Sequence, residues 1–252
     1  MMRPMSTQLR FLRRVREAHN TFSSYFEPDA ALHFAAGQYL SLALPHAPVD
    51  ARGFERSFTI ASSPSEPLVR LTTRASTPSS SFKHALAGLA PGAMLEADGP
   101  FGEFVYRATR RPAVFIAGGI GITPFRSMLG ELATRRARPE IWLLYSNATP
   151  DFPFRAFLDM LAADWPQLHV VYRVTRPSPA WDGPTGRIDA AFIERHVPPA
   201  AEADFYICGP SAMVDSMRGA LLQAGTEATR IHDEGFPGYE ARPAPECAVP
   251  GI

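Results

Sequence analysis

Residues 113–128, AVFIAGGIGITPFRSM, read as a buried strand, a glycine-rich turn and the start of a helix. Gly119 and Gly121 occupy the first two glycine positions of a dinucleotide-binding loop, but Pro124 stands where the usual third glycine would be. Since proline is favoured in the first helical turn, we expect Thr123 to be the N-cap and Pro124 the first helical residue. Alone, the stretch is weak evidence for a nucleotide site.

The chain that follows this stretch alternates between apolar strands and amphipathic helices. EIWLLYS, LHVVYRVTR and ADFYICG are strand-like, and helical segments follow each of them. Strands that are apolar on both faces and alternate with helices are typical of a parallel sheet covered on both sides. We therefore predict an α/β nucleotide-binding domain over residues 111–236, followed by a Pro-rich tail over residues 237–252.

The chain that precedes it has a different rhythm. RFLRRVREA, GQYLSLALP, RSFTIAS and LVRLTTRA are short strand-like runs, and SSFKHALAGL is one helical segment among them. Several short strands at this spacing favour a small antiparallel barrel. The predicted fold is therefore an antiparallel β-barrel over residues 1–110 followed by the parallel α/β domain.

Composition restricts the functional classes. The chain of 252 residues is 46% hydrophobic and 20% charged, which is typical of globular proteins, and its formal net charge is zero. We expect no nucleic-acid partner, and without a long apolar run we expect a cytoplasmic protein with no membrane partner. The two cysteines, Cys208 and Cys247, are too few for a four-cysteine cluster, and no metal site is predicted. The N-terminal arginines favour a solvated strand edge over a docking site for an acidic partner.

Two other segments hold residues suited to a ligand. CGPSAM, which begins at Cys208, Gly209 and Pro210, makes a second turn at the end of a strand of the parallel sheet, and such ends meet in one crevice. In the barrel half, Arg56 offers a fork for a phosphate and Phe58 offers a ring, on the same face of one strand. Each segment alone also fits an ordinary turn or strand.

Taken together, these segments resemble the ferredoxin-NADP reductase superfamily. RSFT resembles its flavin motif, GGIGITP its nucleotide loop, CGP its later turn and DEGF its terminal Glu-x-Phe motif, in the family's order. GQYLSLALP and DGPFGEF also match its connecting strands. The resemblance covers nearly the whole chain, and it implies a Greek-key flavin barrel followed by a nicotinamide-nucleotide domain.

The resemblance implies a role for each matching residue. It places Arg56 at the flavin phosphate, Phe58 against the isoalloxazine, Thr59 near its reactive nitrogen, and Glu234 in proton exchange, with Thr59, Cys208 and Glu234 as the catalytic set. The cofactor-binding residues that it implies are Arg56, Ser57, Phe58, Thr59, Ser80, Ser81, Gly119, Gly121, Ile122, Thr123, Pro124, Cys208, Gly209, Pro210 and Phe236. SSFKHAL, where the family places a helix N-terminus against the FAD pyrophosphate, favours FAD over FMN. Because Pro78 and Ser79 replace the glycine common before the serines, both flavins stay open.

The function implied is an NAD(P)H-dependent flavoprotein reductase that passes electrons to a separate acceptor, such as a ferredoxin, a flavodoxin or an oxygenase component. With two cysteines, we expect no fused iron–sulfur domain. Ser146 and Arg176 would suit a 2′-phosphate and Asp151 a 2′-hydroxyl, so the sequence favours NADPH only slightly over NADH. Two alternatives stay open: a flavin reductase that uses free flavin as its substrate, and a non-catalytic sensor of redox state or nucleotide. The oligomeric state is not predicted.

Overall fold

The first half of the chain forms one antiparallel sheet. In the computed structural model, which describes residues 6–75, 80–198 and 200–236, the strand order is β4-β3-β6-β1-β2-β5. A bridge between Ile60 and Leu71 joins the two edges of this sheet, so it curls toward a barrel. The elements are β1 (Ser6–Ala18), β2 (Thr21–Pro28), β3 (Tyr39–Ala43), β4 (Glu55–Thr59), β5 (Val69–Arg74), helix α1 (Ser81–Ala87) and β6 (Met94–Phe101).

Alternating side chains fill the interior of this barrel. In β3, Leu40 and Leu42 are fully buried while Tyr39, Ser41 and Ala43 are half-buried, which is the period of two expected for a sheet with one covered face. Helix α1 closes one end of the barrel because Phe82 and Leu86 pack into the same apolar cluster. The predicted antiparallel barrel is therefore confirmed.

The second half forms a five-stranded parallel sheet in the order β11-β10-β7-β8-β9. Helices α2 and α3 pack on one face through residues such as Phe125 and Leu158, and α4 and α5 pack on the other through Phe192 and Val214. The elements are β7 (Ala113–Gly118), α2 (Ile122–Thr134), β8 (Ile141–Asn147), α3 (Arg155–Asp164), β9 (Leu168–Val174), α4 (Ala190–His196), β10 (Asp204–Pro210), α5 (Ser211–Gln223) and β11 (Ile231–Phe236).

The strand order creates a switch point beside β7. The chain runs outward from β7 to β8 and β9, then returns to the other side of β7 to form β10 and β11. In open parallel sheets, ligands bind beyond the carboxyl ends of the strands at such a point. The turns after β7 and β10 therefore border the same crevice, as the sequence predicts.

Two of the segments named above lie outside the described residues. They are the predicted tail over residues 237–252, which includes Cys247, and residues 76–79, which include Pro78 and Ser79. Among the helices that the structure describes, none combines the length and apolar character needed to cross a bilayer.

Candidate functional site

The loop after β7 differs in one detail from its prediction. Helix α2 begins at Ile122, and its N-cap is Gly121, the last residue of a single 3-10 turn over Gly119–Gly121. The predicted N-cap, Thr123, is instead buried within the first helical turn, and its Oγ1 donates to the Ile120 carbonyl at 3.0 Å. The 3-10 turn leads directly into the helix, so the helix starts earlier than predicted. Pro124 still lies in the first turn, where its missing N–H leaves no bond unmade.

Glycines let the β7 and β10 loops pack against each other. A Cβ at Gly121 would overlap the carbonyl group of Cys208, and a Cβ at Gly118 would overlap the Met213 sulfur. Gly209 lies against the backbone of Gly118, where a Cβ would come within 3.1 Å of its Cα. Gly118, and Gly121 of the predicted dinucleotide-binding loop, therefore serve the contact between the loops.

Gly119 is the glycine of this loop that faces open space. Its φ of +55° lies in the left-handed region, and the nearest atom to an added Cβ would be the Asn147 side-chain oxygen at 4.0 Å. Its carbonyl accepts a hydrogen bond from the buried Tyr145 hydroxyl at 3.1 Å, which fixes the turn from below. The loop thus presents the backbone around Gly119 to the crevice.

Cys208 is fully buried in the core that lies under α2. The resemblance implies that its thiol borders the nicotinamide, and in the structure the Cys208 side chain packs in this core with no exposed surface. Burial, and secondarily the nearby Glu234 carboxyl, raises the pKa of the Cys208 thiol well above its ordinary value. The thiol is therefore protonated at neutral pH, and a direct contact with nicotinamide stays a prediction.

Glu234 lies next to Cys208 in the parallel pairing of β10 and β11. Its Oε2 is buried and has no hydrogen-bond partner among the described residues, and burial raises the pKa of its carboxyl from 4.5 to about 7. A Cβ at Gly102, in the chain after β6, would lie 3.8 Å from its Oε1. The carboxyl therefore lies between the two halves of the protein, at their junction, and can hold a proton near neutral pH.

Phe236 ends β11 opposite Pro210 and is half-buried against the core under α2. This position is compatible with the cofactor contact that the resemblance implies for Phe236. The roles implied for Glu234 and Phe236 therefore stay predictions that agree with where the two residues lie.

A cavity of about 320 Å³ opens beside Gly119, between the nucleotide loop and the barrel. Its charged side chains are Arg74, Asp151 and Arg176, and the hairpin between β1 and β2 forms its barrel wall. Asp151 accepts a hydrogen bond from the backbone N–H of His19 in that hairpin. Ser146 is buried at the end of β8 and does not line the cavity, whereas Arg176 does.

The flavin motif lies on β4, and its side chains alternate as predicted. Arg56 and Phe58 share a face, since the Arg56 guanidinium lies 5.4 Å from the Phe82 ring and the Phe58 ring lies 5.7 Å from the same ring. Ser57 is exposed and Thr59 is 7% exposed, on the opposite face. Phe58 is 9% exposed within the barrel core. Stacking of Phe58 on the isoalloxazine therefore stays a prediction.

The surroundings of Arg56 fit a phosphate group. Its guanidinium donates to the Asp50 carboxylate at 3.0 Å, and the other oxygen of this carboxylate accepts the Ser81 backbone N–H at 2.9 Å. Arg56 Nε is buried without a partner among the described residues. Ser80 caps α1 by accepting from the Lys83 N–H at 3.2 Å. An anion thus already lies between the predicted phosphate-binding residues Arg56 and Ser81.

Two residues that belong to this site are not found by motif. Asp50 is a lone aspartate in the loop between β3 and β4, and nothing in its local sequence marks it. Arg126 of α2 is 5% exposed and bonds the Ala61 carbonyl at 2.9 Å and the Glu66 carboxylate, both in the loop after β4. The sequence places this arginine five residues after the last glycine of the loop, but only its contacts with the barrel explain why it is buried.

Known proteins resemble this chain over both halves. The oxidoreductase FAD-binding domain family matches residues 9–106, and the oxidoreductase NAD-binding domain family matches residues 115–219. An NADPH oxidoreductase of Mycobacterium tuberculosis is 31% identical over 237 residues, which are 91% of this chain and 60% of that protein. NADH-cytochrome b5 reductase 1 of Aspergillus fumigatus is 30% identical over 224 residues, which are 83% of this chain and 72% of that protein.

Solved structures show the same fold. A cytochrome P450 reductase of Amycolatopsis aligns with a TM-score of 0.80 at 24% identity, over 94% of this chain and 71% of that one. A ferredoxin NADP+ reductase of Neisseria gonorrhoeae aligns with a TM-score of 0.75 at 20% identity, over 91% of this chain and 98% of that one.

The chain spans 60% of the Mycobacterium relative and 59% of another curated relative, the phenol hydroxylase P5 protein of Acinetobacter pittii, which is 30% identical over 82% of this chain. With a flavin-binding barrel, a nucleotide-binding sheet and relatives of this kind, the chain belongs to the ferredoxin-NADP reductase superfamily of NAD(P)H-dependent flavoprotein reductases, with FAD and NAD(P)H as its cofactors.

Proposed function

We propose that this chain transfers reducing equivalents from NAD(P)H, through bound FAD, to a separate acceptor such as a ferredoxin, a flavodoxin or an oxygenase component. The observation that carries the proposal is the junction of the two halves, where the turns after β7 and β10 and the Glu234 carboxyl face the barrel. Relatives named phenol hydroxylase P5 protein and glycine betaine monooxygenase reductase subunit support an oxygenase component as the acceptor.

The barrel residues hold and orient the flavin in this proposal. Arg56 and the backbone N–H of Ser81 bind phosphate, and Thr59 offers its hydroxyl from the opposite face of β4. FAD, when bound, supplies acceptance of two electrons together and their release one at a time. The work of the protein is positioning, because two stacked rings react only at about 3.5 Å with their reacting atoms aligned.

The α/β residues hold the nucleotide. The backbone around Gly119 and the positive dipole end of α2 bind the pyrophosphate in this proposal. Glu234 retains a proton near neutral pH and can exchange it at the junction, while the buried Cys208 thiol is too weakly acidic to act as a nucleophile. In this proposal residues 1–110 form the flavin-binding domain and residues 111–236 form the nucleotide-binding domain.

The cavity beside Gly119 supports NADPH over NADH. Arg74 and Arg176 both line it, which suits a 2′-phosphate. Asp151, the residue that would serve a 2′-hydroxyl, is already engaged by the His19 N–H.

Anaerobic reduction of the purified protein tests the proposal. We expect a yellow protein, or a protein that turns yellow with added FAD, whose flavin absorption band bleaches on addition of NADPH. Retained colour after gel filtration distinguishes bound cofactor from free flavin used as a substrate. A protein that neither binds flavin nor oxidises NADPH or NADH would overturn the proposal.

A further inference from the structure

The Asp50 carboxylate holds the same donors that a flavin phosphate would need. Its Oδ1 accepts from Arg56 Nη2 at 3.0 Å and from the Arg52 N–H at 2.9 Å, and its Oδ2 accepts from the Ser81 N–H at 2.9 Å. One guanidinium and two backbone N–H groups around an anion form the kind of arrangement that binds phosphate oxygens in proteins.

The segment that carries Asp50 is tied down at several points. The Asp50 N–H donates to Ser81 Oγ at 3.0 Å, and Ser81 Oγ is also hydrogen-bonded to His46 Nε2 at 2.8 Å. Arg56 Nη1 donates to the carbonyls of Arg52 at 2.7 Å and Gly53 at 3.0 Å. The loop between β3 and β4 therefore wraps the guanidinium and holds its own carboxylate against it.

Two anions cannot share these donors. The hydrogen bonds from the Arg52 and Ser81 N–H groups hold the pKa of the Asp50 carboxyl down at about 2, so it is ionised throughout the physiological range. The Asp50 side chain is 31% exposed, against 11% for Arg56, so the carboxylate lies on the solvent side of the guanidinium. A phosphate that approaches from solvent meets the carboxylate first.

We propose that Asp50 is an internal competitor for the flavin phosphate: its carboxylate must leave Arg56 and Ser81 before the phosphate binds, and it thereby lowers the affinity for phosphorylated flavins. The inference rests on the proposed function, and it assigns to the loop between β3 and β4 the control of how tightly the flavin is retained.

Asp50→Asn tests this inference because it removes the charge and keeps the size and one accepting oxygen. The measurement is the dissociation constant of FAD, FMN and riboflavin from quenching of flavin fluorescence, for the apoprotein at neutral pH. We expect the variant to bind FAD and FMN about tenfold more tightly than the parent. Riboflavin, which has no phosphate, should bind equally to both.

Glu55→Gln is the matched control. Glu55 is exposed and precedes Arg56 in β4, and its substitution by Gln removes the same charge as Asp50→Asn. The Glu55 side chain makes none of the hydrogen bonds described for Arg56. Equal tightening in Glu55→Gln would overturn the inference, since general electrostatics would then explain the change. Tightening of riboflavin by the same factor, or unchanged or weaker binding of FAD and FMN in Asp50→Asn, would also overturn it.

Two further observations separate the possible failures. If the parent binds FAD and Asp50→Asn does not tighten it, the inference alone fails, and if no form binds any flavin, the proposed function fails with it. If Asp50→Asn does not fold, Asp50→Ser is measured against the same three ligands and the same control, with the same outcomes deciding.

Discussion

The pKa of the Glu234 carboxyl is set by its burial. Its carboxyl lies at the junction of the two halves, one of its oxygens has no partner among the described residues, and its pKa is raised to about 7. An acid whose pKa is higher in the folded than in the unfolded protein makes stability fall as pH rises between the two values. For Glu234 this range runs from about pH 4.5 to about pH 7.

Glu234→Gln should therefore stabilise the protein above pH 7 and change little near pH 4.5, where the parent carboxyl is also neutral. A pKa shift of this size corresponds to at most about 3 kcal/mol in the free energy of unfolding. Because the carboxyl is partly solvated, we expect a change of about 1–2 kcal/mol. Urea unfolding at pH 4.5 and pH 8 measures the difference. Glu227→Gln, at an exposed position, should show no such dependence. Equal effects of Glu234→Gln at both pH values would contradict the assignment.

Arg176 is the residue at which the choice of nucleotide is most directly tested. It is exposed and lines the cavity beside Gly119, so its guanidinium can reach a 2′-phosphate without rearrangement of the core. Arg176→Ala should raise KM for NADPH about tenfold and leave KM for NADH within about twofold, since a charge-assisted hydrogen bond contributes about 1.5–3 kcal/mol. Steady-state kinetics with both nucleotides give the ratio. Arg138→Ala, which breaks an ion pair with Asp164 away from this cavity, is the control. An equal loss with both nucleotides would exclude a phosphate contact.

At the scale of elements, the junction of the β7 and β10 loops depends on residues without side chains. Gly118, Gly121 and Gly209 let two strand–helix turns meet through their backbones, which brings the carboxyl ends of β7 and β10 together. The spacing of these elements is thus fixed by contact between turns as well as by the pairing of Cys208 with Ala117.

Gly121→Ala should destabilise the protein by about 1–3 kcal/mol, because the added methyl group overlaps the Cys208 carbonyl. The φ of −61° at Gly121 suits alanine, so the cost is one of packing and not of backbone conformation. Gly219→Ala is the matched control, because Gly219 lies within α5 and the nearest neighbours of an added Cβ are more than 4 Å away. Alanine favours the helix, so this variant should be more stable than the parent by about 0.5–1 kcal/mol. Thermal unfolding of both variants measures this contrast. Equal midpoints would refute the proposed contact between the turns.

The elements also show where sequence reasoning succeeds and where it fails. The α/β alternation is predictable because β7, β8 and β10 are buried on both faces and are almost entirely apolar. Strand β2, TFSSYFEP, escapes prediction because Ser23 and Ser24 are both buried, with Ser23 Oγ hydrogen-bonded to Thr72 Oγ1 at 2.8 Å across the sheet, so polarity no longer reports exposure. Strand β11, IHDEGF, has two acidic residues and no apolar alternation, although the Glu234 carboxyl is buried.

The same contrast holds for the candidate site. RSFT, GGIGITP, CGP and DEGF are contiguous and can be found by inspection. Asp50 and Arg126 depend on contacts with distant segments, and no local pattern specifies those contacts. The burial of Cys208 also depends on packing with distant segments, which a position at the end of a strand does not specify.

At the scale of the whole molecule, α2 fastens the nucleotide half to the barrel. Arg126 bonds Ala61 and Glu66, Ser127 Oγ donates to the Ser62 carbonyl at 2.6 Å, and Ser65 Oγ donates to Glu131 at 2.6 Å. All the barrel partners lie in residues 61–66, the loop that continues from the flavin strand β4. The helix that begins at the nucleotide loop is thus joined to the end of the flavin motif.

Arg126→Met should weaken this contact between α2 and residues 61–66. The substitution keeps an apolar stem in a buried position but leaves the Ala61 carbonyl and the Glu66 carboxylate without the guanidinium, a loss of about 2 kcal/mol. We expect the denaturant midpoint to fall and unfolding of the two halves to become less cooperative, followed by tryptophan fluorescence and circular dichroism in parallel. Arg155→Ala, which breaks an exposed ion pair with Asp159, should cost less than about 0.5 kcal/mol. If the unfolding curve of Arg126→Met overlays that of the parent, the contact between α2 and residues 61–66 does not couple the two halves.

This attachment constrains how such reductases can be recombined. A chimera that takes its barrel from one reductase and its nucleotide half from another would separate residues 61–66 from the α2 face on which they pack. Residues 61–66 and the matching positions of α2 would have to be transplanted together, so the useful crossover points follow this contact and not the covalent boundary between the halves.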